Sequence, residues 1–89
     1  MFDALVIEEI YSRDDIDIVA VVIGATHKAN AIKAYLKHDY SNALDHTKTR
    51  IEVRKDDEYD ELYVAHVYRI DEIPVVLYFT ATATQVVNG

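Results

Sequence analysis

Residues 24–38 contain the one segment of this chain whose apolar residues recur with the spacing of an α-helix. Ala29, Ile32 and Leu36 follow one another at helical intervals and form an apolar stripe. Thr26 is a suitable N-cap, because its hydroxyl can accept a hydrogen bond from an amide one turn later. The segments on both sides of this helix have the composition of β-strands. We therefore expect a single helix laid on a sheet.

Five segments around the helix are rich in β-branched and aromatic residues, which favour strands. Two precede the helix and three follow it, with polar turns or Pro74 between neighbours. The order β-β-α-β-β-β predicts an α+β fold, a two-layer sandwich in which one helix lies on a mostly antiparallel sheet of about five strands. The order leaves open whether the second and third strands run parallel. The predicted strands are residues 3–11, 16–23, 47–55, 62–70 and 75–84.

The second predicted strand, residues 16–23, is apolar at nearly every position. A strand that is apolar on both faces is typical of the centre of a sheet, or of a strand that is covered on both sides. Strict alternation divides its side chains between the two faces of the sheet. One face then receives Ile16, Ile18, Ala20 and Val22, and the other receives Val19, Val21 and Ile23.

Composition limits the class of protein. A chain of 89 residues, 51% apolar and 28% charged, predicts one folded domain spanning residues 1–89. The net charge of −7 disfavours non-specific binding to nucleic acid or to anionic membranes. The absence of cysteine excludes disulfides and favours a reducing compartment. Without the pattern of a signal peptide or a long apolar run, we expect a cytoplasmic protein with no membrane contact.

The predicted sheet is wider than one helix can cover. Five strands at about 4.8 Å spacing span roughly 20 Å or more, whereas a helix with its side chains is about 10 Å across. Because several strands are apolar on both faces, the second face should be covered by another copy, by another protein, or by curling of the sheet on itself. We predict a homodimer or another protein partner. The predicted interface residues are Tyr63, Val67, Val76, Tyr78, Val19 and Val21.

Charge is unevenly distributed along the chain. Residues 27–55 hold seven of the nine cations against three acids, a net charge of +4, and the remainder carries −11. The clustered cations either belong to an ordinary solvated surface or form a basic strip that binds anions or nucleic acid. The alternative function is therefore a nucleic-acid-related accessory protein, binding through that strip or mimicking DNA with its acids. Small size, acidity and a lack of motifs are typical of accessory proteins from phages and mobile elements, although no residue of the sequence identifies a family. The strip comprises Lys28, Lys33, Lys37, Arg50 and Arg54.

Motifs for catalysis or metal binding are missing from the sequence. Among the histidines, only His38 and His46 stand near carboxylates, Asp39 and Asp45, and their spacing matches no standard ligand pattern. The acidic residues 56–61 lack the spacing of a calcium loop. The missing motifs do not exclude a pair of catalytic carboxylates assembled from distant strands. We expect no metal, no cofactor and no catalytic site, and a non-catalytic protein-interaction or oligomerisation module that uses the sheet face left uncovered by the helix.

Overall fold

The structure, a computed structural model, describes residues 2–41, 49–69 and 72–85, which form one helix and one five-stranded sheet. This confirms the predicted α+β two-layer fold and its element order. The first, second and fourth strands and the helix differ from their predicted bounds by one to four residues at an end that the structure describes. Differences of one or two residues are common at element ends. The elements are β1 (Ala4–Ser12), β2 (Asp15–Ile23), α1 (Lys28–Ser41), β3 (Thr49–Lys55), β4 (Tyr63–Arg69) and β5 (Val75–Thr84).

The strands lie in the order β2-β1-β5-β4-β3, and every neighbouring pair is antiparallel. Because direction alternates across the sheet, β2 and β3 run the same way but lie at opposite edges. The helix carries the chain across one face from the first edge to the other. It packs chiefly over β3 and only lightly over β1, β2 and β5.

The core lies between α1 and the sheet face beneath it. Leu5 and Ile7 of β1 are fully buried there, as is Phe79 of the central strand β5. The Tyr35 ring of the helix meets the Phe79 ring edge-on, with centroids 6.0 Å apart and planes at 70°. This aromatic contact ties the helix to the middle of the sheet. The remaining core residues are Ala31, Ile32, Leu36, Ile51, Ala65, Val67 and Ala81.

The helix begins one residue later than the Thr26 cap predicts. The Ala31 amide donates to the His27 carbonyl at 3.1 Å, which is the first helical hydrogen bond, so His27 holds the N-cap position. Ala31 is 2% exposed, whereas Ala29 is only half-buried. Ala31 therefore completes the apolar stripe with Ile32 and Leu36, in the place predicted for Ala29.

The turn from β2 into the helix depends on Gly24. Its φ of 74° lies in the left-handed region, a backbone conformation that residues with a Cβ rarely adopt. Its amide donates to the Asp3 carbonyl at 3.2 Å, and the Phe2 amide donates to the Ala25 carbonyl at 2.9 Å. These two bonds extend the contact between β1 and β2 beyond the ends of both strands.

Replacing Gly24 should be costly because of its backbone alone. No atom lies within 4 Å of a Cβ added at this position, so steric contact is not the limit. We expect Gly24→Ala to lower the free energy of unfolding by about 1–2 kcal/mol, the cost of left-handed backbone for a residue with a Cβ. Gly24→Asn should cost less, because asparagine tolerates this region. Urea unfolding of both variants measures the difference, and an alanine variant as stable as the parent would contradict it.

Strand β2 lies at an edge of the sheet, so the prediction that it is central or covered on both sides is wrong. The physical reason is chain order. β1 and β2 form a hairpin, and β5 returns to pair with the other side of β1, which leaves β2 outside. Among the described residues no strand pairs with the outer side of β2, and the sheet does not close on itself.

Candidate functional site

The candidate site is the sheet face that points away from α1, called the open face below. The register of the five strands fixes its membership, because residues paired across strands share a face. The β2 part is apolar, the middle is mixed and the β3 part is charged. The residues that form it are Ile16, Ile18, Val21 and Ile23 of β2, Ala4, Val6, Glu8 and Ile10 of β1, Val76, Tyr78, Thr80, Thr82 and Thr84 of β5, Val64, His66 and Tyr68 of β4, and Arg50, Glu52 and Arg54 of β3.

A β-bulge at Val19 changes the faces of β2. Ile7 is opposite Ala20, but the next residue of β1, Glu8, is opposite Ile18, so Val19 is left without a partner. Adjacent residues of β1 point to opposite faces, and Ala20 and Ile18 therefore do so too. Val19 and Ala20 both pack against the core. The bulge brings the two halves of the apolar strand together on the open face, where strict alternation would separate them.

β2 is poorly covered for so apolar a strand. Seven of its nine residues are apolar, yet none is fully buried, whereas each of the other four described strands has at least one buried residue. On the open face Ile16, Ile18, Val21 and Ile23 are 46%, 68%, 57% and 74% exposed. These four side chains, the β2 row, form a line along the edge of the sheet.

The inner part of the open face is less exposed and more polar. No described element covers Val64 on this face, yet Val64 is only 7% exposed, because it lies between its paired neighbours Tyr78 and Arg54. Beside the β2 row, Glu8 of β1 faces Thr80 of β5. Lateral neighbours therefore shelter the central strands, and the large exposed side chains concentrate where such neighbours are missing.

The β3 end of the open face carries a stack of polar and aromatic groups. The Arg50 guanidinium lies 4.4 Å from the centroid of the Tyr68 ring, a cation–π contact. The Tyr68 ring stacks on His66, with centroids 6.0 Å apart and planes at 13°. Arg50 also approaches Glu52 at 3.7 Å. Charged side chains along β3 are a common means of protecting a sheet edge.

The six predicted interface residues do not share one face. Val21, Val76 and Tyr78 lie on the open face, as the prediction requires. Val67 is fully buried in the core, and Tyr63 and Val19 pack against that core from the helix side. The error in β4 comes from a strand that is apolar on both faces, because its composition does not tell which face meets the helix.

Three members of the β2 row are absent from the predicted interface. Alternation divides Ile16, Ile18 and Ile23 between two faces, because it takes no account of a bulge. Strand order is needed as well. A long uncharged segment, such as residues 18–23, indicates an interaction surface only when its strand lies at an edge of the sheet.

The predicted basic strip is split between two layers. Lys28, Lys33 and Lys37 belong to α1, whereas Arg50 and Arg54 lie on the open face, on the other side of the sheet. A single ligand surface cannot include both sets without wrapping around the edge at β3.

Carboxylates gather at the tip of the β1–β2 hairpin. Glu9 and Asp17 are directly opposite on neighbouring strands, a like-charge pair. Partial desolvation of the Tyr11 ring and the neighbouring Glu9 carboxylate raise the pKa of the Tyr11 phenol above its ordinary value, and Asp17 and Asp15 add to this effect. This end of β2 is strongly negative, in contrast to the uncharged segment from Ile18 to Ile23.

The acidic loop between β3 and β4 has a structural arrangement. The Glu58 and Tyr59 amides both donate to the Asp56 Oδ2, each at 3.0 Å. The loop closes through the Asp56 amide, which donates to the Leu62 carbonyl at 2.8 Å. One acid thus organises the turn, as aspartate often does.

In the described ranges, no group of three or more His, Asp or Glu side chains is placed to hold a metal ion. His46 and Asp45, two members of the cluster considered from sequence, lie outside the described residues. Among the described residues there is also no helix with the length and apolar character to cross a membrane.

Comparison of this chain with protein-family models, with curated proteins and with solved structures gives no match.

Proposed function

We propose that this protein is a small non-catalytic interaction module that associates with a protein surface through the open face, with the β2 row as the main contact. One observation carries the proposal: the strand with the most continuous apolar sequence has no buried residue. Exposed apolar area costs free energy in water, at roughly 25 cal/mol per Å². An apolar row of this length on a sheet is typical of a surface that a partner covers.

The nucleic-acid alternative has less support. Its two sets of cations lie on opposite layers, and the whole chain is acidic. Binding to nucleic acid would depend steeply on salt, because it releases counterions. An apolar contact would vary little over the same range of salt, which separates the two functions by experiment.

Light scattering of the purified protein over a range of protein and salt concentrations tests the proposal. We expect association that survives moderate salt, and we expect Ile18→Lys to weaken it at least tenfold by placing a charge in the β2 row. Ile73→Lys is the matched control, because Ile73 is 89% exposed and lies in the connection between β4 and β5, outside the strands that form the open face. The same substitution there should leave association unchanged.

Three results would count against the proposal. Equal effects of the two isoleucine substitutions would mean that added charge, rather than the β2 row, controls association. Loss of association in moderate salt would point to the oppositely charged segments of the chain instead. If the protein is monomeric at all concentrations, surface-immobilised parent and Ile18→Lys proteins should differ in protein capture from cells that contain the natural partner, and equal capture would reject the proposed surface.

A further inference from the structure

We infer that the partner is a second copy of this chain, and that two β2 strands pair antiparallel across a two-fold axis to make one continuous ten-stranded sheet. This inference rests on the proposed function, because it names the partner of the same surface. It also adds a different kind of contact, since the backbone of an edge strand takes part together with the β2 row.

The two edges of the sheet differ in how they are protected. β3 alternates charged residues with apolar ones, and Arg50, Glu52 and Arg54 are all exposed. β2 has no charge and no proline from Ile18 to Ile23. Charges, proline and bulges are the usual means of preventing pairing at an edge, and of these β2 has only the bulge at Val19 and acids at its far end. The segment after the bulge is open to another strand.

The distribution of exposure favours contact beside β2 over stacking of two open faces. Stacking would press the middle of one face on the other, where Glu8 and the exposed Thr82 would lose water. The most exposed apolar side chains of the open face, Ile18 and Ile23, are exposed partly because no described strand lies on the outer side of β2. A second β2 supplies that neighbour and pairs the two β2 rows side by side.

Charge selects a second copy in the antiparallel direction. A two-fold axis perpendicular to a sheet reverses strand direction, so pairing of identical edges is antiparallel. Centred near Val21, in the uncharged segment, this pairing keeps the acidic ends of the two strands apart. It places Asp14 and Asp15 of one copy near His27 and Lys28 of the second copy, which follow the other end of β2. The acidic end thus meets a cation and the positive end of a helix.

Symmetry also explains why pairing of β2 with β3 of another copy is disfavoured. That contact is head-to-tail, and such contacts continue into open filaments unless the rotation closes a ring. Pairing of β2 with β2 uses both free apolar edges and leaves only the charged β3 edges outside. The result is a closed dimer.

Single-cysteine variants test the arrangement, because the chain has no cysteine of its own. All three positions are exposed, so we expect the variants to fold. Val21→Cys lies near the proposed axis, and a short bismaleimide should convert most of the protein to covalent dimer. Asp15→Cys should not cross-link, because antiparallel pairing separates its two copies by roughly 40 Å. Tyr78→Cys should not cross-link either, because five strand spacings separate its copies by about 24 Å.

Each other outcome overturns the inference in a recognisable way. A dimer that cross-links through Tyr78→Cys but not Val21→Cys would mean stacked open faces, and the proposed function would stand with a different geometry. Cross-linking of Asp15→Cys would mean that the acidic ends meet. A protein that stays monomeric, with no cross-link at Val21, would exclude the second copy while leaving another protein as partner. Efficient cross-linking of all three variants would indicate random collision, which dilution of the protein would confirm.

Discussion

Phe79→Ala is expected to lower the free energy of unfolding by about 3–5 kcal/mol, the usual cost of removing a buried aromatic ring. Phe79 is fully buried in the central strand, and its ring contacts Tyr35 of the helix. The substitution removes apolar contact, leaves a cavity under α1 and breaks the aromatic pair. Because a small domain has only about 5–15 kcal/mol of stability in total, a loss of this size should be obvious in urea unfolding followed by circular dichroism.

The adjacent residue provides the control. Tyr78 precedes Phe79 in β5 but points to the open face and is 42% exposed. Tyr78→Ala should cost about 1 kcal/mol or less, since it creates no cavity in the core. Both variants should be compared at one protein concentration, because self-association makes apparent stability depend on concentration. Similar losses for the two neighbours would contradict the assignment of faces in β5.

Val67→Asp is expected to prevent folding at ordinary temperature. Val67 is fully buried between the sheet and the helix, among Ile51 and other apolar side chains. An unpartnered polar group in such a place costs roughly 2–7 kcal/mol, and an ionised carboxylate costs more. A loss of this size removes most or all of the roughly 5–15 kcal/mol that stabilises a small domain. Circular dichroism of the purified variant should show a largely unfolded chain.

We expect the opposite result for Val76→Asp, which changes a valine on the other face of the sheet and should not prevent folding. Val76 is 45% exposed on the open face. The aspartate variant should keep the secondary structure and cooperative unfolding of the parent, with any loss confined to association. If Val67→Asp folded like Val76→Asp, the helix would have to cover the other face of β4, and Val67 would return to the surface as an interface residue.

The difference between the β2 and β3 edges bears on the tendency of the protein to aggregate. Alternating charges protect the β3 edge against pairing with another strand, whereas β2 is long and apolar. Apolar edge strands promote aggregation when they are left unpaired. Closed pairing of two β2 strands would satisfy the same edge in a defined complex. Variants that block pairing without adding charge are therefore expected to aggregate more than Ile18→Lys does.

The fold class was predictable because local patterns determine it. The helical spacing of Ile32 and Leu36 and the strand composition on either side of them are properties of neighbouring residues, and the order of elements follows directly from them. Short polar turns between consecutive strands then favour antiparallel pairing. These features depend on sequence distance alone, so the amino-acid sequence by itself determines the α+β arrangement of one helix on five strands.

The site depended on long-range pairing. Whether β2 lies at the centre or the edge is decided by β5, which is more than fifty residues away and pairs with β1. The bulge at Val19 is decided by the register between β1 and β2, and one extra residue moves every later side chain to the other face. Composition identified an apolar strand, and only the tertiary structure decided that its apolar side chains meet solvent along one edge, because burial is a property of what packs beside a residue.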